Sequence, residues 1–589
     1  MKLAACLGRT QDDARQVVER MLAAQREEGA AAPVTYEVQG GALGWLPTSD
    51  AHAPFALAHA AHNGNVLLVS GAPVHQSAAV DRVLERAAEQ GGREAATALA
   101  ALDGAFAALH WDTAAASLTV VTDFLGMQPL YTADADGRLL LATDLKGIAA
   151  SGLVALEPDP AGWGAFFVFG HMVGDLSFFR GVKRVPAGAV MTFTGDGPPA
   201  SISYWRWPAP EPGLALSDVD VGAIGDTLAR SVAAYRAYGQ DGVVLMSGGF
   251  DSRLVLHLVK EAGIPARALI VRHRDEHDDA DGRYAARAAQ GAGVPYDVRT
   301  PPDDFYDSPL YARYLARSES ANPSFGLFIA QVSAFITPEM GAVWDGLAPQ
   351  AMRALPSNPT AGGFDAYLAP VRRNAEVRLR RDAAQAFARP WADAMYEAFL
   401  AALAAEVARY ADDEFGVAEF SVRNRTRTRI ANNPFRVYAH DVLSFTPGLT
   451  KEFYSLVGRL GERTKGAHDL TLALFRARFP EALRVPFCSG SKLVAVDEGV
   501  TPAFRLARWR AGLLKHYYIR RALERSGALG TFAFDLGPAR AAMLRQIDGS
   551  DARLNPSVAS ALGGGRAPAL ADGVAQQLVY WQAVRSLAR

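Results

Sequence analysis

The residues best suited to chemistry in this chain are Ser247, Gly248, Gly249, Asp251 and Ser252, inside the run VVLMSGGFDSRLVL. A β-branched stretch ends at Ser247, and an apolar-periodic helix begins near Asp251. The glycines let backbone N–H groups turn inward, and the serines add hydroxyl donors. Such a turn before a helix N-terminus can cradle a phosphate or pyrophosphate. Asp251 repels a bare phosphate, so its presence makes sense if it holds Mg2+ that bridges phosphate oxygens. The run matches neither G-x-x-x-x-G-K-[ST] nor G-x-G-x-x-G. A glycine turn that only caps a helix is the plain alternative. Arg253 directly follows the loop and is a further candidate for phosphate contact, with a helix-surface role as its alternative.

Placing those residues calls for a parallel sheet. From about residue 215 strands and short helices alternate. A helix over roughly 220–237 precedes the strand into Ser247, and another ends near Gly263. ARALIVRH, YAARAAQGAG and VPYDVRT then read as strand, helix and strand. That order predicts a parallel sheet flanked by helices, whose carboxyl edge binds ligands. The first 200 residues read differently. VTYEVQ, GNVLLVSG, LTVVTD, LLLATD and GAVMTF are strand-like, with a helix over 79–102. GDGPPA and PAPEPG mark a hinge, which divides the chain into 1–207 and 208–589. A long Ala-rich helix over 376–410, interrupted by Pro390, and a final helix in QQLVYWQAVRSLA complete the pattern.

Composition narrows the class. The 589 residues carry 60 Lys+Arg against 62 Asp+Glu, and half are apolar, which excludes a disordered chain or a coiled coil. The net charge of -2 argues against a general nucleic-acid coat. Two cysteines, Cys6 and Cys488, cannot form a disulfide framework or a four-cysteine zinc site. The start MKLAACLGRTQDD is too short in apolar length for a signal peptide, and no apolar run suits a membrane span. A cytoplasmic setting is expected.

SGGFDS resembles the pyrophosphate-binding loop of the ATP-pyrophosphatase, or PP-loop, synthetases. Upstream segments resemble the asparagine synthetase branch. They are Leu102-Asp103-Gly104-Ala105-Phe106, Asp123 through Tyr131 (DFLGMQPLY), Ala142-Thr143-Asp144-Leu145-Lys146, Phe178 through Gly188, and Tyr204-Trp205. They keep the family's order and spacing from about residue 100 to 256. The resemblance extends to β-lactam synthetases and lasso-peptide macrolactam synthetases. It implies an α+β Ntn-hydrolase-like sheet sandwich, of the class-II glutamine-amidotransferase type, followed by an α/β PP-loop synthetase domain with a helical C-terminal extension. The implied function is an AMP- and pyrophosphate-forming carbon–nitrogen ligase that adenylates a carboxylate and joins it to an amine, in antibiotic or peptide biosynthesis. ATP and Mg2+ are the implied cofactors. A carboxylate-bearing small molecule or peptide and an amine are the implied partners. A peptide carrier, a partner protein and a homodimer stay open.

The pattern breaks in two places. The family's glutaminase uses an N-terminal cysteine whose own amine acts as base. Here Met1-Lys2-Leu3 opens the chain and Cys6 falls inside a strand, which implies a degenerate, glutamine-independent domain. The family's S-G-E-G-x-D-E loop, which supplies a second acid to the metal, is best matched by Ala342 through Gln350, with Gly346 at the first glycine and Gln350 where the acid should stand. Asp345 could reach the same sheet edge, and a surface Asp-Gly turn is its alternative. An ammonia-dependent asparagine synthetase and a catalytically degenerate scaffold or peptide-binding homologue are the competing readings.

Other candidates are weaker in signal. Lys492 follows a helix ending near Pro480 and matches the family's active-site lysine, with Lys465 as the alternative. Arg423, Arg425, Arg427 and Arg429 alternate, and as a strand they would share one face toward something anionic. Asn432-Asn433-Pro434-Phe435 follows, in the region of the family's R-x-P-F-L-D segment. Glu319 is a candidate for the acceptor side, and His257 for packing or capping. His273, Asp275, Glu276, His277, Asp278 and Asp279 read as a solvated loop. No residue stands out as a general base.

Overall fold

The computed structural model describes residues 1–8, 13–27, 30–49, 58–60, 63–194, 199–272, 280–302, 304–305, 308–319, 327–354, 363–489, 492–494, 501–503, 505–506, 509, 547, 549–563, 570 and 572–585. The cluster at 273–279 lies outside the described residues.

Two antiparallel sheets face each other in the N-terminal part. The first sheet uses β1 (Lys2–Leu7), β2 (Val34–Val38), β3 (Gly41–Leu46), β8 (Tyr131–Ala135), β9 (Arg138–Ala142) and β10 (Val182–Arg184), in the order β10-β8-β9-β1-β3-β2. The second uses β4 (Ala58–Ala60), β5 (Val66–Val74), β6 (Asp103–Asp112), β7 (Ser117–Thr122), β11 (Ala189–Phe193) and β12 (Ala200–Ser203), in the order β12-β11-β7-β6-β5-β4. Period-two alternation sorts β1 onto two cores. Leu3 and Ala5 enter the layer between the sheets, and Ala4 and Cys6 pack under the helix Ala14–Gln25. The helical stretch over 79–102 is two helices, Val80–Glu89 and Gly92–Ala100. Gly91 and Gly92, poor helix formers, mark the break.

The second architecture is a five-stranded parallel sheet. It contains β13 (Val243–Met246), β14 (Arg267–Val271), β15 (Tyr296–Arg299), β16 (Ala342–Trp344) and β17 (Leu443–Phe445), in the order β15-β14-β13-β16-β17. The helices Val221–Tyr235, Phe250–Glu261 and Ala280–Gly291 accompany it. A hairpin of β18 (Phe487–Ser489) and β19 (Lys492–Val494) lies beyond. The expected sequence of a sandwich followed by a parallel sheet is what the chain adopts.

One continuous apolar core runs from the layer between the sheets to the parallel sheet. Polar groups fix the joint. The Lys451 N–H donates to Asp103 at 3.0 Å, its ammonium to the Leu102 carbonyl at 2.6 Å, and the Gly104 N–H to the Leu449 carbonyl at 2.9 Å. The Leu102-Asp103-Gly104 motif is therefore a docking point. Gly104 has φ +80°, and a Cβ there would stand 2.6 Å from the Ala72 carbonyl oxygen.

The arginine-rich run corrects its expectation. Val422–Ile430 is helical, with wide π-type turns, so the four arginines do not share a strand face. Arg423 pairs with Glu419, Arg427 with Asp175, and Arg429 donates to the Phe169 carbonyl. Tertiary pairing overrode local alternation, because each buried guanidinium needs its own acceptors. The helical stretch over 376–410 breaks at 387–388, and Pro390 sits in the first turn of the helix Arg389–Val407, where its missing N–H costs nothing.

Candidate functional site

β13 is an inner strand of the sheet, and it delivers Ser247-Gly248-Gly249 to the carboxyl edge just before the helix Phe250–Glu261. The turn is held from inside. The Ser247 N–H donates to Ser252 Oγ at 3.1 Å, the two hydroxyl oxygens lie 3.0 Å apart, and the Gly249 N–H donates to Ser247 Oγ at 3.2 Å. The Gly248 N–H donates to the Asp281 carboxylate at 3.1 Å. The loop thus already binds an anionic oxygen, as a phosphate cradle must. A Cβ at Gly248 would come within 2.9 Å of the Asp281 carbonyl oxygen and 2.8 Å of the Cys488 Cβ, so only glycine fits.

Phe250 fixes the helix entry. Its ring stacks between His468 and Phe487, with both centroids at 4.0 Å. These contacts lock the first turn, and with it the direction of Asp251 and Ser252.

Asp251 and Asp345 meet at this edge. β16 is the direct neighbour of β13, so residues just past the two strands come together. Gly346 makes the approach possible, because a Cβ there would stand 3.1 Å from the Asp251 Cβ. Asp251 pairs with Arg353 at 2.9 Å, and its side chain is 18% exposed. Burial raises the Asp251 pKa, and Arg353 opposes that rise. Burial pushes Asp345 up to about 6. The Leu347 N–H lowers it, and the negative charge of Asp251 adds to the rise. Two buried carboxylates with raised proton affinity, one of them raised in part by the other, have one guanidinium paired with them, at Asp251. A hard divalent cation with phosphate oxygens suits such a donor set. Gln350 lies in the short helical turn Ala348–Met352 and is not the partner of Asp251.

Arg253 does not belong with the phosphate candidates. Its guanidinium is fully buried and donates to the carbonyls of Ala482, Val485, Pro486 and Gly248. It also lies 3.8 Å over the Phe487 ring. Burial lowers its pKa to about 9, countered by Asp281. It fastens the 482–487 segment across the loop. An arginine directly after a glycine turn gives no hint of carbonyl partners more than 200 residues away.

Lys492 begins β19 in the hairpin beside the loop, and its side chain lies outside the described residues. The hairpin contacts the loop through the Cys488 N–H, which donates to the Gly248 carbonyl at 2.7 Å. Lys465 is buried, and burial lowers its pKa against the opposing charges of Glu462 and Glu414. His257 is buried 3.3 Å from Glu481 and packs on Phe479.

Glu319 is tied away from any acceptor. It takes N–H groups from Leu145 and Lys146 and pairs with Arg436 at 3.0 Å. Arg436 also faces Asp144 at 3.4 Å, and Lys2 reaches Asp144 at 2.8 Å. The DFLGMQPLY segment is held in the same way. Asp123 accepts N–H groups from Phe106, Leu125, Met127 and Gln128. Sequence reading missed Arg353, Asp281 and Phe250. Arg353 had one faint signal, as a cation close behind the loop that lacks its acid.

Comparison with known proteins agrees with part of this arrangement. Residues 73–205 match the glutamine amidotransferase domain family. A carboxyethyl-arginine beta-lactam-synthase of Streptomyces clavuligerus is 33% identical over 138 residues, covering 23% of this chain and 24% of that protein. The match therefore spans about a quarter of that relative's length. Among solved structures, a glutamine phosphoribosylpyrophosphate amidotransferase from B. subtilis, complexed with ADP and GMP, aligns over 60% of this chain and 77% of its own, at 12% identity and a TM-score of 0.26. An allosteric regulatory enzyme of purine biosynthesis aligns over 51% and 65%, at 12% identity and a TM-score of 0.25. The N-terminal sandwich is thus glutamine-amidotransferase-like, and the chain is distantly similar to a β-lactam synthetase. Among the described residues, no helix is long and apolar enough to cross a membrane.

Proposed function

We infer that this chain is an ATP-dependent, AMP-forming amide synthetase built from domains 1–207 and 208–589. The observation that carries the reading is the convergence of Asp251 and Asp345 beside the Ser247–Gly249 cradle at a parallel-sheet edge. The proposed substrates are ATP, a carboxylate-bearing small molecule or peptide, and an amine. The carboxylate oxygen bonds to the α-phosphorus, and pyrophosphate departs. The amine then forms the C–N bond, and AMP departs.

Within that scheme Ser247, Gly248, Gly249 and Ser252 hold the pyrophosphate oxygens through N–H and O–H groups. Asp251 and Asp345 would hold Mg2+, which supplies charge neutralisation when bound. Asp281 leaves the Gly248 N–H as phosphate arrives, and Arg353 stays at hand as a fixed positive charge. The hairpin Phe487–Val494, fastened by Arg253, shields the loop from water on one side. Lys492, if it faces the loop, adds a donor for the same charge.

The sandwich acts as a structural partner without glutamine hydrolysis. Cys6 supports this. It is buried between β1 and the helix Ala14–Gln25, outside the layer between the sheets, and burial raises its thiol pKa.

Incubation with Mg-ATP and a panel of acids, with and without amines, tests the reading by AMP and pyrophosphate release. Formation of both products in equal amounts supports it. Absence of both across the panel, with nucleotide binding also absent, overturns it in favour of a scaffold.

A further inference from the structure

A second cluster of charge lies far from the loop in sequence, where the sandwich meets the C-terminal part. Arg184 on β10, Arg427 and Arg436 line one internal cavity of about 20 Å3. Met127, Leu145 and Met172 share its wall. A space of this size holds a small occupant.

Among the described residues the Nε–H groups of all three arginines are buried and make no hydrogen bond, and that of Arg436 lies 3.4 Å from Asp144. For two of them the rest of the guanidinium is balanced. Arg427 pairs with Asp175 at 2.8 Å, and Arg436 with Glu319 at 3.0 Å. Arg184 is different. It is 6% exposed, and its hydrogen bonds go to the carbonyls of Gly126 and Met127 at 2.8 and 3.1 Å. Of the nearby acids, Asp123 is engaged by four N–H groups, and Asp144 is shared by Lys2 and Arg436. Burial lowers the Arg184 pKa to about 9, and Arg427 and Arg436 push it the same way, with Tyr131 and Asp123 opposing. A guanidinium does not give up its proton inside a protein, so the missing quantity is negative charge.

We propose that this cavity binds a single chloride ion, held by Arg184 from the sandwich and by Arg427 and Arg436 from the C-terminal part. A water molecule accepts about two hydrogen bonds and brings no charge. A chloride ion is close to water in size, can accept from several N–H groups of the arginine lining at once and neutralises Arg184. The ion then acts as a pin between the two parts of the chain. This inference does not rest on the proposed ligase activity.

The test compares thermal unfolding of the full chain in sodium chloride and sodium gluconate at equal ionic strength. Chloride should raise the midpoint by about 2–4 °C and saturate, as a bound ligand does. Arg184→Met should remove the difference between the two salts, and Arg184→Lys serves if that variant does not fold. Crystals grown in bromide should show an anomalous peak within reach of the three Nε atoms. Identical curves in the two salts overturn the proposal. So does an intact chloride response in the Arg184 variant, or a bromide crystal with no anomalous signal in the cavity, where a water then sits.

Discussion

Asp144 and Glu319, at the joint between sandwich and C-terminal part, are surrounded by Lys2, Arg436 and the N–H groups of Leu145 and Lys146. Asp251 and Asp345 lie at the parallel-sheet edge, close enough for the charge of Asp251 to act on Asp345, with Arg353 paired to Asp251. Both sets are buried carboxylates. The first has its charge matched and serves to hold two parts of the chain together. The second is left short of positive charge beside a loop whose Gly248 N–H donates to a carboxylate, the pattern expected of a candidate site rather than a brace.

Substitutions at the two sets should therefore fail in different ways. The largest effect is expected for Asp251→Asn. It should cut AMP formation on the order of 1000-fold while leaving the unfolding midpoint near that of the wild type. Pyrophosphate release and calorimetry together check this, and retained activity would remove Asp251 from the site. Asp144→Asn should do the reverse. Leaving Lys2 and Arg436 short of an acid costs about 3 kcal/mol, read as a lowered denaturant midpoint. A variant as stable as the wild type would show that the joint does not depend on this cluster.

Arg253→Met separates fastening from phosphate contact. It removes the donor to the Ala482, Val485 and Pro486 carbonyls and should lose about 2 kcal/mol of stability. If ATP binding collapses with stability unchanged, Arg253 belongs at the nucleotide after all.

The pH responses of the two sets should carry opposite signs. Asp144 is buried, yet Lys2, Arg436 and Lys146 hold its pKa well below the usual carboxylate range. Its contribution is full above about pH 4, the unfolded value, and is lost as pH falls below that. Asp345, raised to about 6, penalises the folded state while ionised. In chelator-treated protein, lowering the pH from about 7 to about 5 should raise wild-type stability relative to Asp345→Asn, by about 1 kcal/mol. A flat difference between the two proteins over that range would mean that Asp345 is not desolvated as the fold indicates.

Much of the candidate site's placement was legible before any fold was known. Glycines and hydroxyls between a short β-branched run and an amphipathic helix have few other uses, and the structure puts them at the sheet edge. The second acid was only half legible. Asp345 stood near the right place, but its meeting with Asp251 depends on β16 lying beside β13, about 100 residues away in sequence. Arg423 through Arg429 misled, because period-two spacing on a short run is weak evidence against long-range ion pairs. Glu319 was unreadable for a similar reason. It sits at φ +48° after the helix Pro309–Ser318, a backbone that a non-glycine residue adopts at some cost, and only its ties to Arg436 and the 145–146 N–H groups explain it.

The sequence by itself determined the loop, the order of its strands and helices, and the division between a sandwich and a parallel sheet. These follow from local periodicity and from residue types that few conformations tolerate. Only the tertiary structure decided which charges meet. It gave Arg253 to carbonyls, Glu319 to the joint, Arg353 to Asp251, and Arg184 to carbonyls with no acid paired to it among the described residues. The physical reason is that a buried charge must find its partner wherever the fold supplies one, and sequence distance places no limit on where that is.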